Sequence, residues 1–335
     1  MSTQREIRIT AAGLSDVGRV REENEDGLFV RLIGRRHRGP FAIRAVLAVA
    51  DGVGGHVGGR QASQAVVSFL SDLFSVRHIG AQALFGDDVT SFIKGIIREA
   101  DGRVLELVGG GDAKPPGTTF TGAFIVGDRA YIGHIGDSRA YQIRNDEIIA
   151  LTEDHSYVAH LVREGRLAPE EARDFPQKNV LMRSLGTEGG VTIDEPGRVR
   201  LMDGDVLVLC TDGLWDLVSE KELVWIIQEK KDLVKACSRL IRLANARDGH
   251  DNITVVAARF GRFRKGYSAP PGVYDPPGGR APGRAKRMIA RFAAFTGLLA
   301  LSALLILIAL FILNELSVVD FPLPAELLNR LISPS

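Results

Sequence analysis

Acids placed at the ends of apolar runs, and followed by glycine, are the chemistry-bearing feature of this 335-residue chain. The run VLAVA, residues 46–50, stops at Asp51, and Gly52, Gly54, Gly55, Gly58 and Gly59 follow. A buried strand ending at an acid, then a loop whose backbone must approach something closely, gives that pattern. The run VLVLC, residues 206–210, delivers Asp212 ahead of Gly213, and Asp251 and Asn252 precede a third run, ITVVA. Carboxylates brought to one point repel unless they are protonated or bridged by cations. Oxygen ligands without His or Cys favour Mg²⁺ or Mn²⁺ over Zn²⁺. Two such ions can share a water, lower its pKa and hold it in line with an electrophile, most often a phosphoryl group. A single Asp-Gly also makes an ordinary turn; the three acids together, each flanked by an apolar run, argue for the site. Arg21 stands four and five residues before Glu25 and Asp26. Its guanidinium could hold two phosphate oxygens, or form a plain surface ion pair.

These residues need elements to position them. The sequence predicts a first strand at 7–12, a polar stretch from Ser15 to Asp26, and a strand at 27–33. After Gly59 the apolar spacing turns helical through Ala62, Ala65, Val66, Phe69, Leu70 and Leu73. A second helix is predicted from about Asp88 to Val108, with Ile93, Ile96, Ile97, Ala100 and Val104 on one face. Strands follow, with hairpin turns at Gly127-Asp128 and Asn145-Asp146, and Gly136-Asp137-Ser138 at a corner between two of them. Residues 153–190 read as short helices and a loop. Ser219 and Glu222 form a capping box for one late helix, 233–246 is another, and a strand at 253–260 closes the domain. Regular βαβ alternation is absent, so the order predicts an α+β layered domain and not a dinucleotide-binding fold.

Apolar residues at 45% and charged residues at 25% suit a globular core. Two cysteines, Cys210 and Cys237, offer no disulfide framework, and Cys210 reads as a small core residue. The net charge of +1 hides a division: residues 264–291 hold seven Lys/Arg and one acid, whereas 1–263 hold 34 basic and 37 acidic residues. That balance speaks against a nucleic-acid path. Residues 264–287 contain five Gly and five Pro, the composition of a flexible linker. Residues 292–313 are 22 positions without a charge, and about 20 are needed to cross a membrane. The expected organisation is therefore a catalytic domain at 1–262, a basic linker at 263–291, a transmembrane helix at 292–313 and an extracytoplasmic tail at 314–335.

In family order, the stretches SDVGRVREENED, VADGVGGH, GTTFTGAFI, GHIGDSRAY, LTEDHS, CTDGLWD and HDNITVV span about residues 10–260. Together they resemble the bacterial metal-dependent serine/threonine phosphatases of the protein phosphatase 2C family. The resemblance implies a four-layer α-β-β-α sandwich of two antiparallel sheets with flanking helices. It implies two Mn²⁺ or Mg²⁺ ions, with a third, looser one in bacterial members. By the same resemblance Asp51 bridges the metals, Gly52 gives a backbone carbonyl, and Asp212 and Asp251 hold the first ion. Glu25 and Asp26 act directly or through water, Asp137 with Asp212 holds the third ion, and Arg21 binds phosphate. The flap of the family falls at 155–185. Eukaryotic members carry a His two residues after the bridging acid; Val53 stands there, His56 follows the glycines and is assigned a structural role, and the proton donor stays open.

The expected function is hydrolysis of phosphoserine and phosphothreonine in proteins by a metal-bridged water, opposing a Ser/Thr kinase at the cytoplasmic membrane. A non-catalytic phosphatase-like membrane scaffold is the alternative, and a two-metal hydrolase of other phosphate esters is a second rival. Phosphorylated proteins, a kinase and the membrane are the expected partners, and nucleic acid is not.

Overall fold

The computed structural model describes residues 7–34, 40–53, 57–75, 88–107, 116–187 and 189–263. The linker from 264, the predicted span at 292–313 and the tail at 314–335 lie outside the described residues. Among the described residues no helix is long and apolar enough to cross a membrane.

Two five-stranded antiparallel sheets face each other. The first contains β1 (Ile9–Asp16), β8 (Arg139–Arg144), β9 (Glu147–Ala150), β11 (Val206–Cys210) and β12 (Ile253–Phe260), in the order β1-β12-β11-β8-β9. The second contains β2 (Gly27–Leu32), β3 (Ile43–Ala50), β6 (Phe120–Val126), β7 (Arg129–Ile135) and β10 (Gly197–Arg200), in the order β10-β7-β6-β3-β2. A two-stranded pair, β4 (Gly52–Val53) with β5 (Gly117–Thr118), sits beside Asp51.

The continuous apolar runs make sense once both faces of a strand are covered. In β3, Ala45, Leu47 and Val49 enter the core between the sheets with Leu207, Leu209, Val256 and Ala258. The alternate residues Val46, Ala48 and Ala50 face α1 (Val57–Leu73) and α2 (Val89–Leu105), against Val66, Leu70, Ile93 and Ile97. In β11 the same period of two sends Val206, Val208 and Cys210 toward α5 (Glu220–Glu229) and α6 (Leu233–Ala246). The layers are thus helices, sheet, sheet, helices, as the motifs implied. Full burial of each large aliphatic side chain contributes about 1.5–3 kcal/mol, so the three core layers hold the strand ends that carry the acids.

Both predicted hairpins form, with Val126 paired to Arg129 and Arg144 to Glu147. Asn145 and Asp146 both take positive φ, the backbone of the turn that matches strand twist. Asp88 is the N-cap of α2, its carboxylate accepting from the N–H of Thr90 and Ser91. The Glu222 carboxylate accepts the Ser219 N–H at 3.1 Å at the start of α5. The first strand runs past the predicted 7–12, because polar Ser15 and Asp16 still pair with Thr254 and Ile253. The short strands β4, β5 and β10 were not foreseen, nor the single turn α4 (Asp212–Trp215); each is too short to show a period.

Candidate active site

The acids converge because antiparallel pairing brings strand starts beside strand ends. Gly27, just after Glu25 and Asp26, pairs with Ala50, just before Asp51. Cys210, two residues before Asp212, pairs with Val255 and with Arg139, close to Asp251 and Asp137 respectively. All six carboxylates therefore lie at one end of the two sheets. Gly52 and Gly59 allow the close approach there: a Cβ on Gly52 would stand 2.7 Å from Glu25 O, and one on Gly59 would stand 2.6 Å from Glu25 Oε2.

Main-chain and hydroxyl contacts fix the acids in place. The Asp51 N–H donates to Thr119 Oγ1 at 2.9 Å, and its carbonyl accepts from Thr118 Oγ1 and Thr119 N, each at 2.8 Å. Thr119 Oγ1 also lies 2.8 Å from Ser138 Oγ, which ties the Asp51 corner to the Asp137 corner. Trp215 Nε1 donates to the Asp137 carbonyl at 3.0 Å, so the turn that begins at Asp212 holds the Asp137 backbone as well. Thr211 Oγ1 donates to Asp26 Oδ2 at 2.9 Å. Arg21 Nη2 donates to Asp251 Oδ2 at 2.8 Å. The ion pair that the sequence left open for Arg21 thus forms, and its partner is one of the clustered acids.

The electrostatics are those of crowded anions. Burial, then Asp26, Asp212, Asp137 and Asp251, hold Asp51 well above the usual carboxylate range. Asp137 is raised by burial, then by Asp212 and Asp154. Burial pushes Asp26 up to about 7 against the hydrogen bonds of Thr254 and Thr211, with Asp212 and Asp251 adding to the rise. Burial and Asp251 push Asp212 up to about 6. One oxygen on Asp26 and one on Asp212 are buried without a hydrogen-bond partner. Buried polar atoms are nearly always satisfied, and crowded all-oxygen donors with unused lone pairs suit a hard divalent cation. Among the described residues no three His, Cys, Asp or Glu side chains are already gathered at the spacing of a formed metal centre. The donor chemistry of the cluster fits such ions.

The family profile described as Protein phosphatase 2C matches residues 40–252. The chain belongs to the protein phosphatase 2C family. With the family comes the enzyme class that the motifs implied, a protein serine/threonine phosphatase. The serine/threonine phosphatase stp of Listeria innocua is 36% identical over 258 residues, covering 76% of this chain and 97% of that protein. The crystal structure of the Mycobacterium tuberculosis serine/threonine phosphatase PstP/Ppp aligns with a TM-score of 0.64 at 34% identity, over 76% of this chain and 100% of that one. The catalytic domain of PstP in complex with two manganese ions aligns with a TM-score of 0.61 at 34% identity, over 76% of this chain and 99% of that one.

In this phosphatase the stretch expected to be the flap leaves the corner that carries Asp137. His155 N donates to Gly136 O at 2.7 Å, and Met182 N donates to His155 O at 2.8 Å. His155 Nε2 and Arg183 both contact Asp194, which closes the base of the stretch. Within it lies α3 (Tyr157–Arg163), and Lys178 Nζ reaches Asp216 at 2.9 Å. Between the stretch and the acids is a cavity of about 770 Å³, whose lining includes Asp137, Asp212, Asp251, Val162, Lys178 and Trp215. Sequence reasoning assigned no role to Thr119, Thr211, Trp215 or Asn252. Their hydroxyl, indole and amide groups act through contacts with residues 19 to more than 200 positions away, and no local pattern marks them. Val53 is half-buried in β4, and His56 lies outside the described residues.

Proposed function

We propose that this chain hydrolyses phosphoserine and phosphothreonine in proteins directly, without a phosphoenzyme, in a metal-dependent reaction. The observation that carries the reading is the convergence of six carboxylates at one end of the sheets, two of them with buried, unpartnered oxygens. In this reading Asp51 and the Gly52 carbonyl would help to hold two ions. Asp212 and Asp251 would hold the first ion, Glu25 and Asp26 would serve directly or through water, and Asp137 with Asp212 would serve a third. The manganese of the PstP structure supports Mn²⁺, and Mg²⁺ shares the same preference for oxygen donors. When bound, the ions supply charge neutralisation and make a water acidic enough to attack at neutral pH.

Arg21 receives the phosphoryl oxygens. One of its nitrogens is held by Asp251, and the others are donors for the substrate in the fork geometry that suits phosphate. The attacking water adds to phosphorus as the bond to the serine or threonine oxygen breaks, and that oxygen leaves with a proton. The chain supplies position and charge in place of a nucleophile. Burial pushes both cysteine thiols up to about 12, which keeps them out of nucleophilic chemistry at neutral pH.

The same proposal places the domain at the cytoplasmic face of the membrane, held by a span at 292–313 and opposing a Ser/Thr kinase on nearby phosphoproteins. The uncharged 22-residue run and the five Lys/Arg among residues 280–291 support it. The test is release of phosphate by the intact chain from phosphothreonine peptides with Mn²⁺, with and without a chelator. Release that requires the metal is expected; none, or release indifferent to chelation, overturns the reading.

A further inference from the structure

The side chain of Asn252 is buried, and all three of its hydrogen bonds go to one distant loop. Its Nδ2 donates to Val17 O at 3.0 Å and to Glu23 O at 2.9 Å, and its Oδ1 accepts the Glu25 N–H at 2.8 Å. Loop 17–25 joins β1 to β2 and carries Arg21 between those anchor points. The same loop rests on the segment that leads into Asn252. Arg19 N donates to Gly249 O at 2.7 Å, and Gly18 takes φ +82° with no room for a Cβ beside Asp251 O. Asp251, next to Asn252 in sequence, holds the Arg21 guanidinium at 2.8 Å.

Only a primary amide meets these demands in so small a volume, since it offers two N–H donors beside one acceptor. A carboxylate would turn an oxygen on two carbonyls, and an isosteric Leu would leave three buried backbone groups unpaired. Both ends of the Arg21 loop are therefore gathered by one side chain, which helps to set the distance from Arg21 to the acids.

We propose that Asn252 is the positioning residue for the substrate phosphate: its amide clasps loop 17–25 and thereby sets Arg21 against Asp251 and the acid cluster. The proposal rests on the phosphatase reading above for Arg21. Asn252 acts on the phosphate only through Arg21. Glu25 keeps a second tether, because Ser63 Oγ donates to its carbonyl at 2.5 Å, so the acids hold their places when the clasp is cut.

The test compares four forms of the intact chain: unchanged, Asn252→Ser, Arg21→Ala and the double variant. Asn252→Ser is neutral, so it adds no charge to the acids. It should raise KM for a phosphothreonine peptide about tenfold, leave kcat within about threefold, and leave half-saturation by Mn²⁺ in place. The double variant should have the KM of Arg21→Ala alone, because a clasp that acts through Arg21 has nothing left to position. Effects that multiply, or an unchanged KM, overturn the proposal. Hydrogen exchange without metal or substrate gives a readout independent of turnover. Amides of 17–25 should exchange faster in Asn252→Ser while those of β12 and α6 do not change. If the unchanged chain releases no phosphate, the phosphatase reading fails, and unaltered exchange in 17–25 would then overturn the clasp separately. Asn252→Asp is the second variant, and failure of both to fold assigns Asn252 to the fold and overturns the proposal.

Discussion

Asp212 is the acid with the most neighbours to answer to. It begins a turn directly after β11, one of its oxygens is buried without a partner, and burial and Asp251 raise it to about 6. Asp212→Asn keeps the volume and removes the charge. Turnover should fall at least about a thousandfold, since the residue serves two ions in the proposed reading. The chelated protein should unfold at the same temperature or higher, because one repelling anion is gone. Paired phosphate-release and calorimetry measurements check both halves, and near-normal turnover at saturating Mn²⁺ would remove Asp212 from the site. The same crowding gives a pH dependence. Asp26 and Asp212 stand at about 7 and about 6 in the folded chain against an ordinary 3.8. Protons therefore favour the folded state, and this contribution is full below pH 3.8 and lost as pH rises through about 6 to 7. In chelator, the unfolding temperature should drop between pH 5 and pH 8, and Mn²⁺ should abolish or reverse the drop. A flat profile in chelator would mean that the acids do not crowd one another.

At the scale of elements, the corners between strands carry the site. Gly136 joins β7 to β8 at φ +108°, and a Cβ there would stand 2.5 Å from Thr119 Cγ2. Thr119 is also the residue that accepts the Asp51 N–H. Gly136→Ala should cost about 1–3 kcal/mol in urea unfolding, from backbone strain and the clash. It should lower phosphate release as well, since Asp137 and Asp51 both shift. A variant as stable and as active as the parent would show that the corner relaxes freely. The elements that sequence reasoning located to the residue, α6 and β12, have a long apolar period or a run bounded by turn residues. Those it missed have neither. Strand β10 reads GRVR, with a single apolar residue and only an edge pairing to β7.

For the whole molecule, the division of charge around residues 292–313 sets an expectation for topology. Arg280, Arg284, Lys286, Arg287 and Arg291 precede the run, whereas Glu315, Asp320 and Glu326 follow it with Arg330 as the single cation. On the membrane proposal the Lys/Arg-rich flank would stay in the cytoplasm, and an anionic leaflet would attract each nearby cation by about 1 kcal/mol. A reporter active only outside the cytoplasm should signal when fused after Ser335 and stay silent when fused at Met1. The reverse pattern would invert the orientation, and a full chain soluble without detergent would remove the span. On the same proposal the Gly/Pro-rich linker would tether the phosphatase domain and keep it to substrates close to the membrane.

The sequence by itself marked Asp51, Asp212 and Asp251 beside apolar runs and gave the order of the longer elements, because strand periodicity and Asp-Gly punctuation are local properties, whereas Glu25, Asp26 and Asp137 were singled out by the family motifs. The same reading placed Arg21 a few residues from two of the acids. It did not determine which end of which strand meets which. Runs such as VLAVA are apolar at every position, so they show no preferred face until helices cover one side and a second sheet the other. Tertiary structure alone decided that Asp51, Asp137 and Asp212 share a corner network through Thr119, Ser138 and Trp215. It alone decided that Arg21 faces Asp251, and that Asn252 reaches across 229 positions to Glu23. Such contacts have no local signature, since antiparallel register between distant segments brings them together only after the core has formed.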